Sequence, residues 1–151
     1  MTTNGLAVFD TTLQKTHIWL DEIMGELAVD RQGAWHVLGV VLRAVRDRIP
    51  LELGANLSAQ LPLLVRGAYY DQFRPEDIPM PIRHWTDFVA VLALGIGDVD
   101  PPVPAAAAAE AVFGVLSRHI DPDEIRKVQQ ALPQEMRERW ADALGAAEAL
   151  P

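Results

Sequence analysis

A motif built on a proline, an arginine and an aromatic residue occurs twice in this chain, and its first copy reads Leu61-Pro62-Leu63-Leu64-Val65-Arg66-Gly67-Ala68-Tyr69-Tyr70-Asp71. The second copy repeats the spacing 71 residues later with Leu132, Pro133, Arg137, Trp140 and Asp142. Residues 34 to 71 and 105 to 142 align without a gap and share seven identities. Because the prolines, the apolar positions and the arginine agree in one register, the pattern indicates an internal duplication.

Apolar residues recur at steps of three and four on both sides of the motif, which is typical of helices that bury one face. Asp30 is placed to cap the second helix, and Pro50 and Pro62 are placed to begin the third and fourth. No stretch alternates apolar and polar residues between turn signals, so no strand is predicted. The sequence therefore predicts an all-α fold of about eight helices, two tandem copies of a four-helix unit packed as one compact domain over residues 1–151. The repeats cover about 6–73 and 83–148, and a proline-rich linker, 74–82, joins them.

The apolar stripes predict which side chains lie in the core. In the later helices of each repeat these are Val41, Leu42, Val45, Ile49, Leu57, Leu61, Val112, Phe113, Leu116, Ile120, Val128 and Leu132. In the first helix, Phe9, Leu13, Leu20, Met24 and Leu27 fall on a seam with steps near three to four, which indicates helix periodicity. A chain of 151 residues, 50% of them hydrophobic, is long enough to bury such a core without disulfides or metals.

Charge and cysteine content narrow the classes of partner. The formal net charge of -8 disfavours nucleic acid and anionic membrane surfaces as partners. The longest apolar run, Val89 to Ile96, is far shorter than the roughly 20 residues that span a bilayer. The chain has no cysteine, which excludes disulfides, thiolate nucleophiles and cysteine-ligated metals. We therefore expect a soluble, cytoplasmic protein.

Several segments together resemble a known family. They are Arg48-Ile49-Pro50, Ala59-Gln60-Leu61-Pro62, Arg66-Gly67-Ala68-Tyr69-Tyr70-Asp71, and Ala131-Leu132-Pro133 followed by Trp140. This set resembles the bacterial domain-of-unknown-function family 2267 from about Phe9 to Trp140, although the family usually carries tryptophan where this chain has Phe73. The resemblance implies a helical fold in small soluble bacterial proteins. It brings no activity, cofactor or catalytic residue.

Signatures of metal binding and catalysis are weak. His17 with Asp21 and His84 with Asp87 are neighbours at helical spacing, but zinc or iron needs three or four converging ligands. The glycines around Ile96 lack the third glycine and the preceding strand of a nucleotide-binding loop. Acidic residues cluster at 98–100 and 121–124, where helix starts favour carboxylates as caps. We predict no catalytic residue, metal or cofactor, and an enzyme is the less favoured interpretation.

Arg66 and Arg137 can be interpreted either as a ligand site or as structural groups. As a ligand site, the two arginines would bind an anion, with Tyr69 and Tyr70 contributing at the first copy. As structural groups, each guanidinium would pair with a carboxylate or cap a helix end. Recurrence in both halves favours the structural role, because a single active site rarely needs both copies.

The structural interpretation makes one specific prediction. If the repeats are related by an approximate two-fold axis, Arg66 meets Asp142 while Arg137 meets Asp71, which gives two reciprocal contacts across the junction.

Two functions of different class remain. The favoured one is a non-enzymatic protein-interaction or regulatory module that uses a helical face to bind a protein partner or a second copy of itself, because wide apolar stripes are present without a catalytic constellation. The alternative is a small-anion or enzymatic pocket between the repeats that uses Arg66, Tyr69 and Tyr70, with His84 or Trp85 as further lining residues.

Overall fold

A computed structural model describes the backbone of residues 6–149 and the side chains of residues 6–145. Its α-helices are α1 (Ala7–Leu27), α2 (Arg31–Arg48), α3 (Leu51–Ser58), α4 (Leu63–Tyr70), α5 (Trp85–Ile96), α6 (Ala105–His119), α7 (Pro122–Ala131) and α8 (Gln134–Ala149). A single 3-10 turn, Pro75–Asp77, lies in the predicted linker. No strand occurs between residues 6 and 149, so the prediction of an all-α domain with eight helices is confirmed.

Helices α2 and α6 form the centre of the domain. Each contacts the other, α2 also packs on α1, α4 and α5, and α6 also packs on α1, α5, α7 and α8. The twelve side chains predicted for the core in α2, α3, α6, α7 and the turns after them are all buried. Trp140 of α8 stacks on Phe113 of α6 with ring centroids 4.3 Å apart, so the aromatic residue of the second motif lies in the core.

The apolar seam of α1 does not face the core along the whole helix. Phe9 and Leu13 are 46% and 38% exposed, and two threonines, Thr12 and Thr16, are buried in their place. Leu20 of the same seam is buried. The seam therefore faces the core only beyond the middle of α1, because the neighbouring stripe faces inward near the N-terminal end of the helix.

The free backbone groups at helix ends are hydrogen-bonded by side chains that are either close in sequence or on another helix. Asp30 accepts a hydrogen bond from the amide of Gly33 at 2.8 Å, which confirms it as the cap of α2. His36 of α2 donates from Nε2 to the carbonyls of Gly95 (2.9 Å) and Ile96 (3.1 Å). These carbonyls end α5 and have no partner within the helix, so α2 completes the hydrogen bonding of α5.

Arg46 closes the end of α4 from inside the protein. Its side chain is only 4% exposed, and Nη1 donates to the carbonyls of Tyr69 (2.5 Å) and Asp71 (2.7 Å). Nε donates to Asp47 at 2.8 Å, and the guanidinium lies over the ring of Phe73, 5.3 Å from its centroid. A buried charge is tolerated at this position because it is paired and hydrogen-bonded.

The two halves share helix boundaries at the offset of the sequence motif. Helices α2 and α6 end, α3 and α7 begin, and α4 and α8 begin at positions that are 71 residues apart. The first helices differ, since α1 has 21 residues and α5 has 12. The extra turns of α1 form one wall of a groove between α1 and α4.

Candidate functional site: the α1–α4 groove

A groove of about 530 Å³ lies between the N-terminal part of α1 and the turn that joins α3 to α4. We call it the α1–α4 groove. It is lined by Ala7, Val8, Thr11, Thr12, Lys15, Ile18, Trp19, Ala59, Gln60, Leu61, Pro62, Leu63, Arg66 and His119. Three of these, Val8, Ile18 and Leu63, are large apolar side chains that remain between 44% and 53% exposed. The groove wall therefore offers apolar surface that the described residues do not cover.

The groove exists because α1 starts early. At the 71-residue offset, the first two turns of α1 correspond to residues 78–84, which form a loop before α5. Thr12 fixes these extra turns against α4, since its hydroxyl accepts a hydrogen bond from the amide of Leu64 at 3.1 Å. An amide in the first turn of a helix has no partner within that helix. The burial of Thr12 is thus explained by capping, and the extended α1 forms one wall of the groove.

The side chains that line the groove include basic residues and no acidic residue. Lys15, Arg66 and His119 line it, and no Asp or Glu is among the lining residues. The whole chain carries 21 acidic residues against 13 lysines and arginines. The groove therefore has the opposite charge to the average surface of the protein, which favours an anionic group as its occupant.

A network behind the groove holds His119 in place. The Glu22 carboxylate accepts hydrogen bonds from His119 Nε2 and Arg118 Nε, and the ring of His119 stacks on Trp19 with centroids 5.5 Å apart. Burial alone would raise the pKa of the Glu22 carboxyl, but the hydrogen bonds from His119 and Arg118 outweigh it and lower that pKa. Glu22 therefore stays ionised and orients the imidazole at the edge of the groove.

Arg66 is the one predicted ligand residue that lines the groove. Its Nε donates to the carbonyl of Ser58 at 2.9 Å, and Nη2 donates to those of Ala59 and Leu61, both at 3.3 Å. These three carbonyls lie at the end of α3 and in the turn after it. Among the described residues Nη1 has no hydrogen-bond partner, which leaves its N–H groups for an occupant of the groove.

Arg137 repeats these contacts at the other copy of the motif. It donates from Nε to the carbonyl of Gln129 (3.2 Å) and from Nη2 to those of Gln130 (3.3 Å) and Leu132 (3.1 Å). Arg137 is exposed and does not line the groove. Of the two structural roles considered for the arginines, the structure therefore displays the capping of a helix end.

The predicted reciprocal ion pairs are absent among residues 6–145. Neither Arg66 with Asp142 nor Arg137 with Asp71 forms an ion pair there. The physical reason is the direction of helical side chains, which lean toward the N-terminus of their own helix. Each arginine consequently folds back over the preceding turn and meets its carbonyls.

The two tyrosines of the predicted site do not converge with Arg66 on the groove. Tyr69 is buried and its hydroxyl donates to the carbonyl of Gly54 at 2.8 Å, and burial raises the pKa of this phenol. The hydroxyl of Tyr70 is 2.8 Å from that of Ser58. A role of Arg66, Tyr69, Tyr70 and Arg137 in binding a ligand stays a prediction, and of the four only Arg66 lines the groove.

Two residues of the groove were not predicted from the sequence. Lys15 lies on a polar stretch of α1 with no distinguishing pattern, and the position of His119 in the last turn of α6 is already explained by the helix dipole. Their convergence depends on the packing of α1 against α6 and α4, so no local signal points to it.

The histidine pairs considered as metal ligands have other partners. Arg31 donates from Nη1 to Nδ1 of His17 at 2.5 Å, and its Nη2 is 3.1 Å from Asp21. His84 hydrogen-bonds to Glu135 through Nδ1 at 2.8 Å. Within residues 6–145, no group of three or more His, Cys, Asp or Glu side chains is placed to hold a metal ion.

Comparison with other proteins identifies the family but adds no activity. Among residues 6–149, every helix is too short or too polar to cross a bilayer. No curated protein is significantly similar to the chain in sequence. The family model described as "Uncharacterized conserved protein (DUF2267)" matches residues 16–139, most of the chain, so the protein belongs to this family.

Proposed function

We propose that the protein is a non-enzymatic interaction or regulatory module that binds a segment of a partner protein in the α1–α4 groove. One observation carries the proposal. The groove combines exposed apolar side chains on α1 and α4 with Lys15, Arg66 and His119, and it is lined by no carboxylate. Surface of this kind is typical of a site that a partner covers.

The length of the groove favours a polypeptide over a small molecule. Val8 and Ile18 both line it and are ten residues apart on α1, which is about 15 Å at 1.5 Å per residue. A ligand that contacts both must extend over nearly three helical turns. An amphipathic helix fits such a surface, because its apolar residues recur every three or four positions along the same distance.

The charges of the groove define the partner segment further. Lys15 and Arg66 are complementary to carboxylates, whereas His119 already donates to Glu22, so the segment is expected to carry Asp or Glu beside its apolar face.

Site-specific photo-crosslinking in native cell extract tests the proposal. A photo-reactive amino acid replaces Thr11, which lines the groove, and in a second protein it replaces Lys127, which is exposed on α7. We expect a defined partner to be crosslinked from position 11 and not from position 127. The double substitution Val8→Asp with Leu63→Asp should abolish that product by placing unpaired carboxylates against an acidic segment.

Leu51→Asp is the matched control, since Leu51 is 50% exposed on α3 and does not line the groove. It should leave the crosslink unchanged. Equal products from positions 11 and 127, or a product that survives the double substitution, would contradict docking in the groove.

A small anion is the second candidate for the groove, and it is favoured by Nη1 of Arg66, which has no hydrogen-bond partner among the described residues. Binding of inorganic phosphate or citrate would shift the amide resonances of residues 11–19 and 59–66, and Lys15→Gln should weaken that binding. A ligand of this class, without a polypeptide partner, would support the anion-binding or enzymatic alternative.

We also propose that the domain arose by tandem duplication of a four-helix unit, residues about 6–73 and 83–148. The matching helix boundaries and the equivalent carbonyl contacts of Arg66 and Arg137 support it. Superposition of the Cα atoms of residues 34–71 on those of 105–142 tests the duplication. Opposite hands of the α2–α3–α4 and α6–α7–α8 paths would refute it.

A further inference from the structure

His119 lines the α1–α4 groove with an imidazole that its neighbours hold in one orientation. Nε2 donates to the Glu22 carboxylate, and the ring stacks on Trp19 with an angle of 23° between the two planes. The side chains of His119 and Glu22 are 29% and 27% exposed, so both are largely withdrawn from water. The imidazole therefore has a defined position at the edge of the groove.

The hydrogen bond to Glu22 decides which ring nitrogen of His119 carries the proton. An ionised carboxylate has only acceptors, so the nitrogen that bonds to it has to be an N–H donor. Glu22 stays ionised because the hydrogen bonds from His119 and Arg118 outweigh the effect of burial on its pKa. In the neutral imidazole the proton is therefore on Nε2, and Nδ1 is an acceptor. Among the described residues Nδ1 has no hydrogen-bond partner, so it is the ring nitrogen that remains for an occupant of the groove.

We infer that His119 makes the α1–α4 groove a pH-dependent site for an anionic group, which binds more tightly when the imidazole is protonated. The inference rests on the proposed function and names a condition that controls binding in the same groove. When the ring is neutral, the lone pair of Nδ1 repels a carboxylate or another oxyanion. When the ring is protonated, Nδ1 becomes a charged donor to that oxyanion while Nε2 still donates to Glu22.

The charges around His119 leave the imidazole as the group that responds to pH. These charged groups come from three helices and the turn after α6, and they are Glu22 and Lys15 of α1, Arg66 of α4, Arg118 of α6 and Asp121. Lysine, arginine and carboxylate side chains ordinarily keep their charge between about pH 5.5 and 8, whereas histidine changes its charge in this range. Glu22 supplies the compensating negative charge, and the stacked indole of Trp19 presents its face to the cation.

Inorganic sulfate is the probe for the test, because it stays a dianion throughout this range. Its binding to the full chain is measured at constant ionic strength, at about pH 5.5 and about pH 8, from the amide resonances of residues 11–19 and 59–66. We expect binding to be at least about fivefold tighter at the lower pH, because one charge-assisted hydrogen bond is added.

Two glutamine variants assign the pH dependence to one histidine. His119→Gln keeps an amide donor for Glu22 but does not titrate, so its sulfate affinity should differ by less than about twofold between the two pH values. His17→Gln is the matched control, since His17 is exposed on α1, contacts Arg31 and does not line the groove. It should keep the full pH dependence.

Long-range proton–nitrogen correlation spectra of the histidine rings give a second measurement on the unaltered chain. At about pH 8 we expect the His119 proton on Nε2. A proton on Nδ1, an equal sulfate affinity at the two pH values, or no sulfate binding at either pH would overturn the inference.

These outcomes are separable from those of photo-crosslinking. A partner that is crosslinked from position 11 while sulfate affinity does not vary with pH would leave docking in the groove intact and remove the role of His119. Binding of sulfate that depends on pH and on His119, without a crosslinked partner, would support the inference and contradict docking of a polypeptide.

Discussion

Substitution of Arg66 and Arg137 by glutamine separates the structural role of the repeated arginine from a binding role. In Arg66→Gln, three carbonyl contacts are lost, of which the one to Ser58 at 2.9 Å is the shortest and the other two are 3.3 Å long. Charged hydrogen bonds contribute roughly 1.5 to 3 kcal/mol when well formed, but water can replace an exposed donor. We therefore expect Arg66→Gln to lower the free energy of unfolding by about 1 to 2 kcal/mol.

Arg137→Gln is expected to cost less, about 0.5 to 1.5 kcal/mol, because two of its three contacts are exposed. Equilibrium unfolding in urea measures both values, with far-UV circular dichroism as the signal. Arg126→Gln is the control, since Arg126 forms an exposed ion pair with Asp123, and the change should alter stability by less than about 0.5 kcal/mol.

Lysine provides a further comparison at position 66. Arg66→Lys keeps the charge but cannot reach three carbonyls at once, so it should lose nearly as much stability as the glutamine variant. Losses below about 0.3 kcal/mol at both arginines would refute helix capping. If Arg66→Lys instead kept full stability, a positive charge alone would be sufficient at position 66. That result would favour a role in binding an anion over helix capping.

Three further predictions concern the core, the buried arginine and pH. Leu61→Ala should lower the free energy of unfolding by about 2 to 5 kcal/mol because Leu61 is buried, and a urea-measured loss below about 1 kcal/mol would contradict its core position. Arg46→Met should cost about 2 to 4 kcal/mol because two carbonyls at the end of α4 lose their donor, and a loss within the error of urea unfolding would show that water replaces it. The Glu135 hydrogen bond raises the pKa of His84 above 6.5, and hydrogen bonds from Trp85 and His84 lower the pKa of Glu135 below 4.5. The contribution of His84 to stability is complete below pH 6.5 and is lost as the pH rises through the raised pKa. The contribution of Glu135 is complete above pH 4.5 and is lost as the pH falls through the lowered pKa. His84→Gln should therefore reduce stability most between about pH 4.5 and 6.5. A stability difference that does not vary between pH 5 and 9 would show that the pair contributes nothing.

The sequence by itself determined the helices and most of the core. Steps of three and four identify the buried face of α2 and α6, where apolar residues crowd one side, and prolines at corners such as Pro50 and Pro62 limit where α3 and α4 can begin. The capping of α2 by Asp30 could also be predicted from the sequence, because an N-cap side chain bonds to an amide three residues away. Each of these features depends on local stereochemistry, which a single segment contains in full.

Only the tertiary structure decided which stripe of α1 faces inward and where the arginines point. Two adjacent stripes of α1 satisfy the same period, and the choice between Phe9 and Thr12 rests on α4, whose first-turn amide at Leu64 takes the Thr12 hydroxyl. The end of α5 likewise receives its donor from His36, about 60 residues earlier in the chain. The periodicity of a sequence predicts which face of a helix is apolar. Free amides, free carbonyls and basic side chains, in contrast, hydrogen-bond to groups that are close in the folded protein and distant along the chain. The sequence separation of two such groups does not predict that they pair.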